Sequence, residues 1–309
     1  MNFAPLLLWA NLRHPALRDL AWLIASPALI RPSSGLYPQL DSLLSPLRLA
    51  EVARLNVADW LHAQDTHPTH FLAELGEVSS LRLGLYAERL LTVFLRSALQ
   101  LNVSQNLALR VDGLTLGALD YLIELPEGWA NQLGLEATTQ YLHLELALKF
   151  YVWREDDFIG PRGQDRLRFK LKKLEQQVAW GRHPVFQANG AVSSALWVPG
   201  RLFYHWREPA PSLAHEWAVI NPQHTQCFWL YADEIEGCDL LQTGAWVKVP
   251  RARWLAPLGN LRDPLVLDHR AVQHSVDQAS VMVIAQIEQG QEMARGMVIQ
   301  RHEAPSQNT

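Results

Sequence analysis

The chain has 309 residues, 49% of them apolar, which is material for one large core or two ordinary ones and excludes wholesale disorder. A formal net charge of −4 excludes a surface coated in basic charge, so a polyanion would have to be met by a local patch. Two cysteines, Cys227 and Cys238, exclude a disulfide framework; free thiols in a reducing compartment are the expectation, with one bridge between them left open.

The N-terminal run Ala4-Pro5-Leu6-Leu7-Leu8-Trp9 has no basic segment ahead of it and no small-residue cleavage site behind it. No later window is long and apolar enough to span a bilayer, so a cytoplasmic protein without a membrane partner is expected. Residues 12–30 and 48–63 read as helices, the first dense in Leu17, Leu20, Trp22, Leu23 and Ile24. Arg31–Gly35, Ser45-Pro46 and Asp65–His70 read as breaks. Over 81–101, Leu81, Leu85, Leu90, Leu91, Phe94, Leu95 and Leu99 recur at helical spacing, with Glu88 among them. Strands are expected over 106–112 and 117–125, punctuated by Gly113 and Gly117 and ended by Pro126-Glu127-Gly128.

Residues 139–153 carry the clearest alternation in the chain. Leu142, Leu144, Leu146, Leu148, Phe150 and Val152 fall on even positions, and His143, Glu145, Ala147 and Lys149 on odd ones. Period two over that length predicts a strand with one apolar and one functional face. The i,i+4 spacing of Glu145 and Lys149 also suits a helical ion pair. A helix, however, would spread the four leucines around its circumference and would have to carry Phe150–Trp153, a run that prefers strands. Burying a carboxylate and an ammonium on such a strand calls for pairing or a ligand.

A loop over 158–163 follows. Asp165 then stands at the N-cap position of a helix over 166–179, whose stripe is Leu167, Leu171, Leu174 and Val178. Arg162, Arg166, Arg168, Lys170, Lys172 and Lys173 make the densest basic cluster, either a solvated face or a grip on phosphates. A strand over 193–204 closes the series. Beyond it the texture is β-rich, with Trp206, Trp217, Trp229, Trp246 and Trp254 read mostly as packing residues and a final hairpin over 279–286 and 295–300. The expected organisation is a helical region over 1–75, a core over 76–205, a β-rich region over 206–302 and a disordered tail over 303–309.

Acids fall at Glu88, Asp120 and Glu145, with Lys149 after the last. One or two carboxylates from adjacent strands are a usual way to hold Mg²⁺ against a phosphate, and a nearby lysine can orient water or neutralise developing charge. The expected fold class is α/β (α+β), a mixed central sheet with flanking helices in αβββαβ order.

That order, with those residues on it, resembles the PD-(D/E)XK nuclease-like superfamily and its restriction-endonuclease-like core. The segments LRHPALRDLAWLIASP (12–27), LGLYAERLL (83–91), TLGALDYL (115–122), HLELALKFY (143–151), IGPRGQDRL (159–167) and WLAPL (254–258) are similar to a bacterial family catalogued as domain of unknown function 1853. The superfamily resemblance implies Asp120 and Glu145 as ligands of Mg²⁺ (or Mn²⁺), Glu88 as an accessory acid, Lys149 as the catalytic lysine, and a nucleic acid as partner. Arg162, Arg166, Lys170, Lys172, Lys173 and Gln177 would then contact it. The sequence departs from the pattern in one respect. Acid and lysine stand two residues apart in that superfamily, about 7 Å along a strand, whereas Glu145 and Lys149 are about 13 Å apart, with Ala147 between. A bulge or a migrated side chain restores such a site; a lost site leaves an inactive nuclease fold serving as an interaction module.

Overall fold

A computed structural model describes residues 8–32, 35–77, 82–163, 165–188, 190–213, 215–259, 266–267, 272, 274 and 280–301. The tail over 303–309, Leu81 and Ser33-Ser34 lie outside the described residues. No helix among the described residues is long and apolar enough to cross a membrane.

The dense apolar segment near the N-terminus forms α1 (Pro15–Ala25), opened by a proline in the first turn and by His14 as N-cap. Every residue from Ala16 to Ala25 is buried, Arg18 and Asp19 included. Those two charges are satisfied locally. The Arg18 guanidinium donates to the carbonyls of Trp9 (2.6 Å) and Leu12 (3.1 Å), and Asp19 accepts from the Tyr86 hydroxyl at 3.0 Å. The helix expected over 48–63 is instead two, α2 (Pro46–Val52) and α3 (Val57–Thr66). Arg54 takes a left-handed φ of 54° between them, and Asn56 caps the second by accepting from the Asp59 amide. A further helix, α4 (Thr69–Leu75), occupies part of an expected break. The helix expected over 81–101 is α5 (Leu83–Val93), continued by a π turn over Phe94–Ala98.

Strands β1 (Val103–Val111) and β2 (Leu114–Glu124) form a hairpin. Its two-residue turn, Asp112-Gly113, has positive φ at both positions, the geometry that matches strand twist. After α6 (Trp129–Leu133) come β3 (Tyr141–Leu146), β4 (Lys149–Arg154) and β5 (Asp157–Ile159). Next are α7 (Leu167–Trp180), α8 (Pro184–Gln187), β6 (Val192–Trp197) and β7 (Gly200–His205). Strands β8 (Gln226–Tyr231), β9 (Ala245–Val249), β10 (Val266–Leu267), β11 (Val281–Glu288) and β12 (Gln291–Ile299) follow among the described residues, the last two being the expected final hairpin. Leu167, Leu171, Leu174 and Val178 form the buried stripe of α7 as read from the sequence. Asp165, expected as its N-cap, lies two residues ahead of the helix and accepts from the Tyr151 hydroxyl at 2.9 Å.

The strands make two mixed sheets, a four-stranded one in the order β1-β2-β3-β6 and an eight-stranded one in the order β10-β9-β11-β12-β8-β7-β4-β5. In the first, β1/β2 and β2/β3 are antiparallel and β3/β6 is parallel. The chain divides into two compact units. The first holds the described residues up to Lys149, Arg168–Gly200 and Ser212–Thr225; the second holds Phe150–Leu167, Arg201–Pro211 and the described residues from Gln226. The helices expected as a separate region over 1–75 thus share a unit with the smaller sheet, while 150–167 and 201–205, expected in the core, belong to the other.

The single strand expected over 139–153 is broken. Strand β3 ends at Leu146 and β4 starts at Lys149 in the other sheet; the strand expected over 193–204 breaks likewise between Trp197 and Gly200. The physical reason lies in Pro199-Gly200. Pro199 has no N–H for the ladder, although its carbonyl still accepts from the Lys149 amide at 3.0 Å. Gly200 lies so close to Lys149 that a Cβ there would stand 1.9 Å from the Lys149 carbonyl oxygen. Alternation of side chains cannot reveal such a break, because the periodicity resumes in phase beyond it.

In the second unit, Leu230, Ile235, Trp246, Met282, Ile284 and Val298 form a core cluster. The WLAPL segment there is held by buried arginines. Arg295 donates to the carbonyls of Trp254 (2.6 Å) and Ala256 (2.9 Å), and Arg201 to that of Leu255 (2.7 Å). Trp217, Trp229, Trp246 and Trp254 are buried, as packing residues should be, while Trp206 is half-buried against that cluster. Cys227 and Cys238 are free thiols.

Candidate functional site

The geometry of the site follows from strand register. Tyr121 pairs with Leu144 and Leu122 with His143, so one step further along the antiparallel ladder Asp120 stands opposite Glu145. Directly opposed residues share a face, and this face therefore carries Asp120, His143 and Glu145. The other face carries Leu119, Tyr121, Ile123, Leu142 and Leu144, all wholly buried. The Tyr121 hydroxyl donates to the Glu88 carbonyl at 2.7 Å, which ties β2 to α5.

Helix α7 covers the polar face. Gly181, just past its end, lies against β3 and β6: a Cβ there would be 2.2 Å from Ser194 Oγ and 2.8 Å from His143 Nδ1. One helical turn back, the Gln177 amide donates to Glu145 Oε1. Gln177 Oε1 in turn accepts from Lys170 Nζ at 3.2 Å. His143 Nδ1 meets Ser194 Oγ at 3.1 Å. The remaining atoms, His143 Nε2 and Glu145 Oε2, face each other at 3.4 Å, both buried and neither hydrogen-bonded.

Three carboxyls are held near neutrality. Burial raises Glu88 to about 7, with the Asp120 charge adding to the effect. Burial likewise raises Asp120 to about 7, helped by the Glu145 charge and opposed by the Leu146 amide, which donates to Asp120 Oδ2 at 2.9 Å. Glu145 is raised to about 7 by burial, against the pull of the Lys170 charge and of contacts with Asp120 and Gln177. Burial lowers His143 to about 4, so its imidazole is neutral at pH 7. Lys170 is lowered by burial and by the Lys149 and Lys173 charges, with Glu145 and Asp120 acting the other way. Like-charged, desolvated groups held together are costly in a purely structural role and common where a ligand is bound.

Of the residues singled out from sequence, Glu88, Asp120, Glu145, Lys170 and Gln177 come together electrostatically or by hydrogen bonds in the first unit. Lys149 is half-buried at the head of β4, not on the strand of Glu145. Lys172 and Lys173 are exposed on α7. Arg162 and Arg166 belong to the second unit, where Arg166 is engaged by Asp157 (3.2 Å) and Glu155 (3.4 Å). Sequence reasoning placed Lys170 among the phosphate contacts and did not bring it to the acids. The i,i+7 spacing sets Lys170 and Gln177 on one face of α7 but carries no sign that this face meets the acids. Phe169, 62% exposed between basic neighbours, was not singled out at all.

Among the described residues, no three His, Cys, Asp or Glu side chains form a ready-made metal cluster. The donor set still fits a hard cation such as Mg²⁺, which usually takes one or two carboxylates and completes its shell with water and phosphate oxygens. Glu145 Oε2, buried without a hydrogen bond beside the Asp120 charge, is the atom whose situation a cation would relieve.

A family model described as "Domain of unknown function (DUF1853)" matches residues 18–299, and the chain belongs to that family. Comparison with curated proteins and with solved structures found no match for it.

Proposed function

We propose that this member of the DUF1853 family is a metal-dependent, nuclease-like hydrolase of nucleic-acid phosphodiesters, with α5–β1–β2–β3–α7–β6 as a PD-(D/E)XK-like core. The observation that carries the reading is the placing of Asp120 and Glu145 on one buried face of two paired strands, under the Lys170–Gln177 pair of α7, with Glu88 within reach of the Asp120 charge and all three carboxyls pushed up to about 7 by burial. In this reading Asp120 and Glu145 hold Mg²⁺ or Mn²⁺. Such an ion supplies Lewis-acid stabilisation of charge on the phosphoryl oxygens.

The chain's own groups do the rest. The oxygen of a water forms a new bond to phosphorus, and the bond from phosphorus to the leaving oxygen breaks, that oxygen keeping the electron pair and taking a proton from solvent. Ionised Glu88 accepts the proton released by the water. The products are a phosphomonoester and an alcohol. Exposed Lys172 and Lys173 on α7, with Phe169 beside them, offer phosphate contacts and a stacking surface, which favours nucleic acid over a small phosphodiester.

The test is cleavage of plasmid DNA, single-stranded DNA and RNA in Mg²⁺ or Mn²⁺, alongside Asp120→Ala and Glu145→Gln. Metal-dependent cleavage lost in both variants supports the reading; cleavage that survives Asp120→Ala refutes it. A second reading, an inactive nuclease fold acting as an interaction module, is favoured by the lack of a ready-made three-group metal cluster among the described residues. It predicts salt-dependent nucleic-acid retention with no cleavage in any metal.

A further inference from the structure

The Lys170 charge acts on Asp120 and Glu145, the charges of Lys149 and Lys173 act on Lys170, and the fold places Lys149 and Lys170 differently. Lys149 lies beyond the break at Ala147–Leu148, on the first residue of a strand in the other sheet. Lys170 projects from α7, the helix laid over the face that carries Glu145 and Asp120. Gln177, two turns further along, receives the Lys170 ammonium on its amide oxygen at 3.2 Å and donates its amide N–H to Glu145. Helix, glutamine and strand therefore fix the ammonium relative to the carboxylate. The Lys170 charge also bears on both Asp120 and Glu145.

We infer that Lys170, held by Gln177, is the catalytic ammonium of the site and takes the part that the primary structure offers to Lys149. The inference rests on the hydrolase reading above. The ammonium contacts a non-bridging oxygen of the phosphodiester, and its hydrogen bonds strengthen as negative charge grows there in the transition state. It gives up no proton in this step, so no proton balance changes on its account. Asp120 and Glu145 would hold the cation from the strands while Lys170 acts from α7, so Lys170 would not be a metal ligand.

The experiment compares Lys170→Met, Lys170→Arg and Lys149→Met in full-length protein, with plasmid DNA as substrate and Mn²⁺ binding followed separately by electron paramagnetic resonance. Loss of an electrostatic partner of the transition state should lower kcat by about 100-fold in Lys170→Met, with partial recovery in Lys170→Arg. Mn²⁺ affinity should stay within about threefold, since an ammonium supplies no ligand. Lys149→Met should cost at least about tenfold less than Lys170→Met, as expected for a group outside the transition state. If Lys149→Met is the more damaging, or if Lys170→Met cleaves like the parent, the assignment to Lys170 is overturned while the hydrolase reading stands. If the parent protein binds Mn²⁺ in a manner indifferent to Asp120→Ala and cleaves nothing, both fall together. A Lys170→Met protein that has lost Mn²⁺ binding as well as cleavage also overturns the assignment, because the side chain would then be building the site and not acting in it.

Discussion

Asp120 and Glu145 lie one step beyond the Tyr121–Leu144 pair of the β2–β3 ladder, and folding holds both carboxyls near pKa 7, well above their ordinary values of 3.8 and 4.5. The folded state therefore binds protons more tightly than the unfolded chain. Stability from these groups is fully present below about pH 4 and is lost as pH rises through about 7. Asp120→Asn removes the charge and leaves an oxygen to accept from the Leu146 amide. At pH 8 this variant should be more stable than the parent by on the order of 2 kcal/mol, the advantage fading towards pH 5. Urea titrations at both pH values measure it. A variant less stable than the parent at pH 8 would show that the carboxylate is compensated in the fold.

Cation binding should reverse that penalty. Mg²⁺ or Mn²⁺ at a hundredfold excess over Kd adds about 2.7 kcal/mol to the folded state, enough to raise Tm by several degrees at pH 8. At pH 5 protons hold the carboxyls and compete, so the shift should shrink. Asp120→Ala should abolish it at either pH. An equal Tm shift in the parent and in Asp120→Ala would place cation binding elsewhere.

The local elements were legible because their signals are local. The stripe of α7, the Asp112-Gly113 turn between β1 and β2, and the final hairpin each rest on a few adjacent residues. Asp120 and Glu145 were legible as candidates because alternation puts a charge on a strand that is otherwise apolar. The break between Leu146 and Lys149 was not, since its cause, Pro199-Gly200, lies some fifty residues downstream. For the same reason Lys149 looked like the lysine of the site. The Lys170–Gln177–Glu145 connection depends on which face of the sheet α7 covers, and that is decided by tertiary packing against Gly181. Nothing in the spacing of one helix reports it.

The handover at Gly200 has its own test. A methyl group there would stand 1.9 Å from the Lys149 carbonyl oxygen and 2.7 Å from Leu29, so backbone must move to admit it. Gly200→Ala should destabilise the fold by about 2 to 4 kcal/mol, in the range of severe overpacking. Chemical denaturation checks this. Stability within about 0.5 kcal/mol of the parent would mean that the two strands do not approach so closely.

Lys172 and Lys173 are exposed on α7, with the Lys173 charge acting on Lys170, so binding measured without turnover isolates their contribution. If each neutralises one phosphate, replacing both with glutamine should reduce the slope of log affinity against log salt by about 1.8 on duplex DNA, or about 1.4 on a single strand. The loss should be uniform across sequences, because phosphate contacts carry no base information. Phe169→Ala should behave differently. Stacking depends on an unpaired base face, so this change should weaken single-stranded binding by about 1 to 3 kcal/mol and leave both duplex binding and the salt slope close to the parent. Fluorescence anisotropy across a salt series, run in Ca²⁺ to suppress turnover, distinguishes the two effects. A salt slope unchanged by the double lysine replacement would move the nucleic-acid surface off α7.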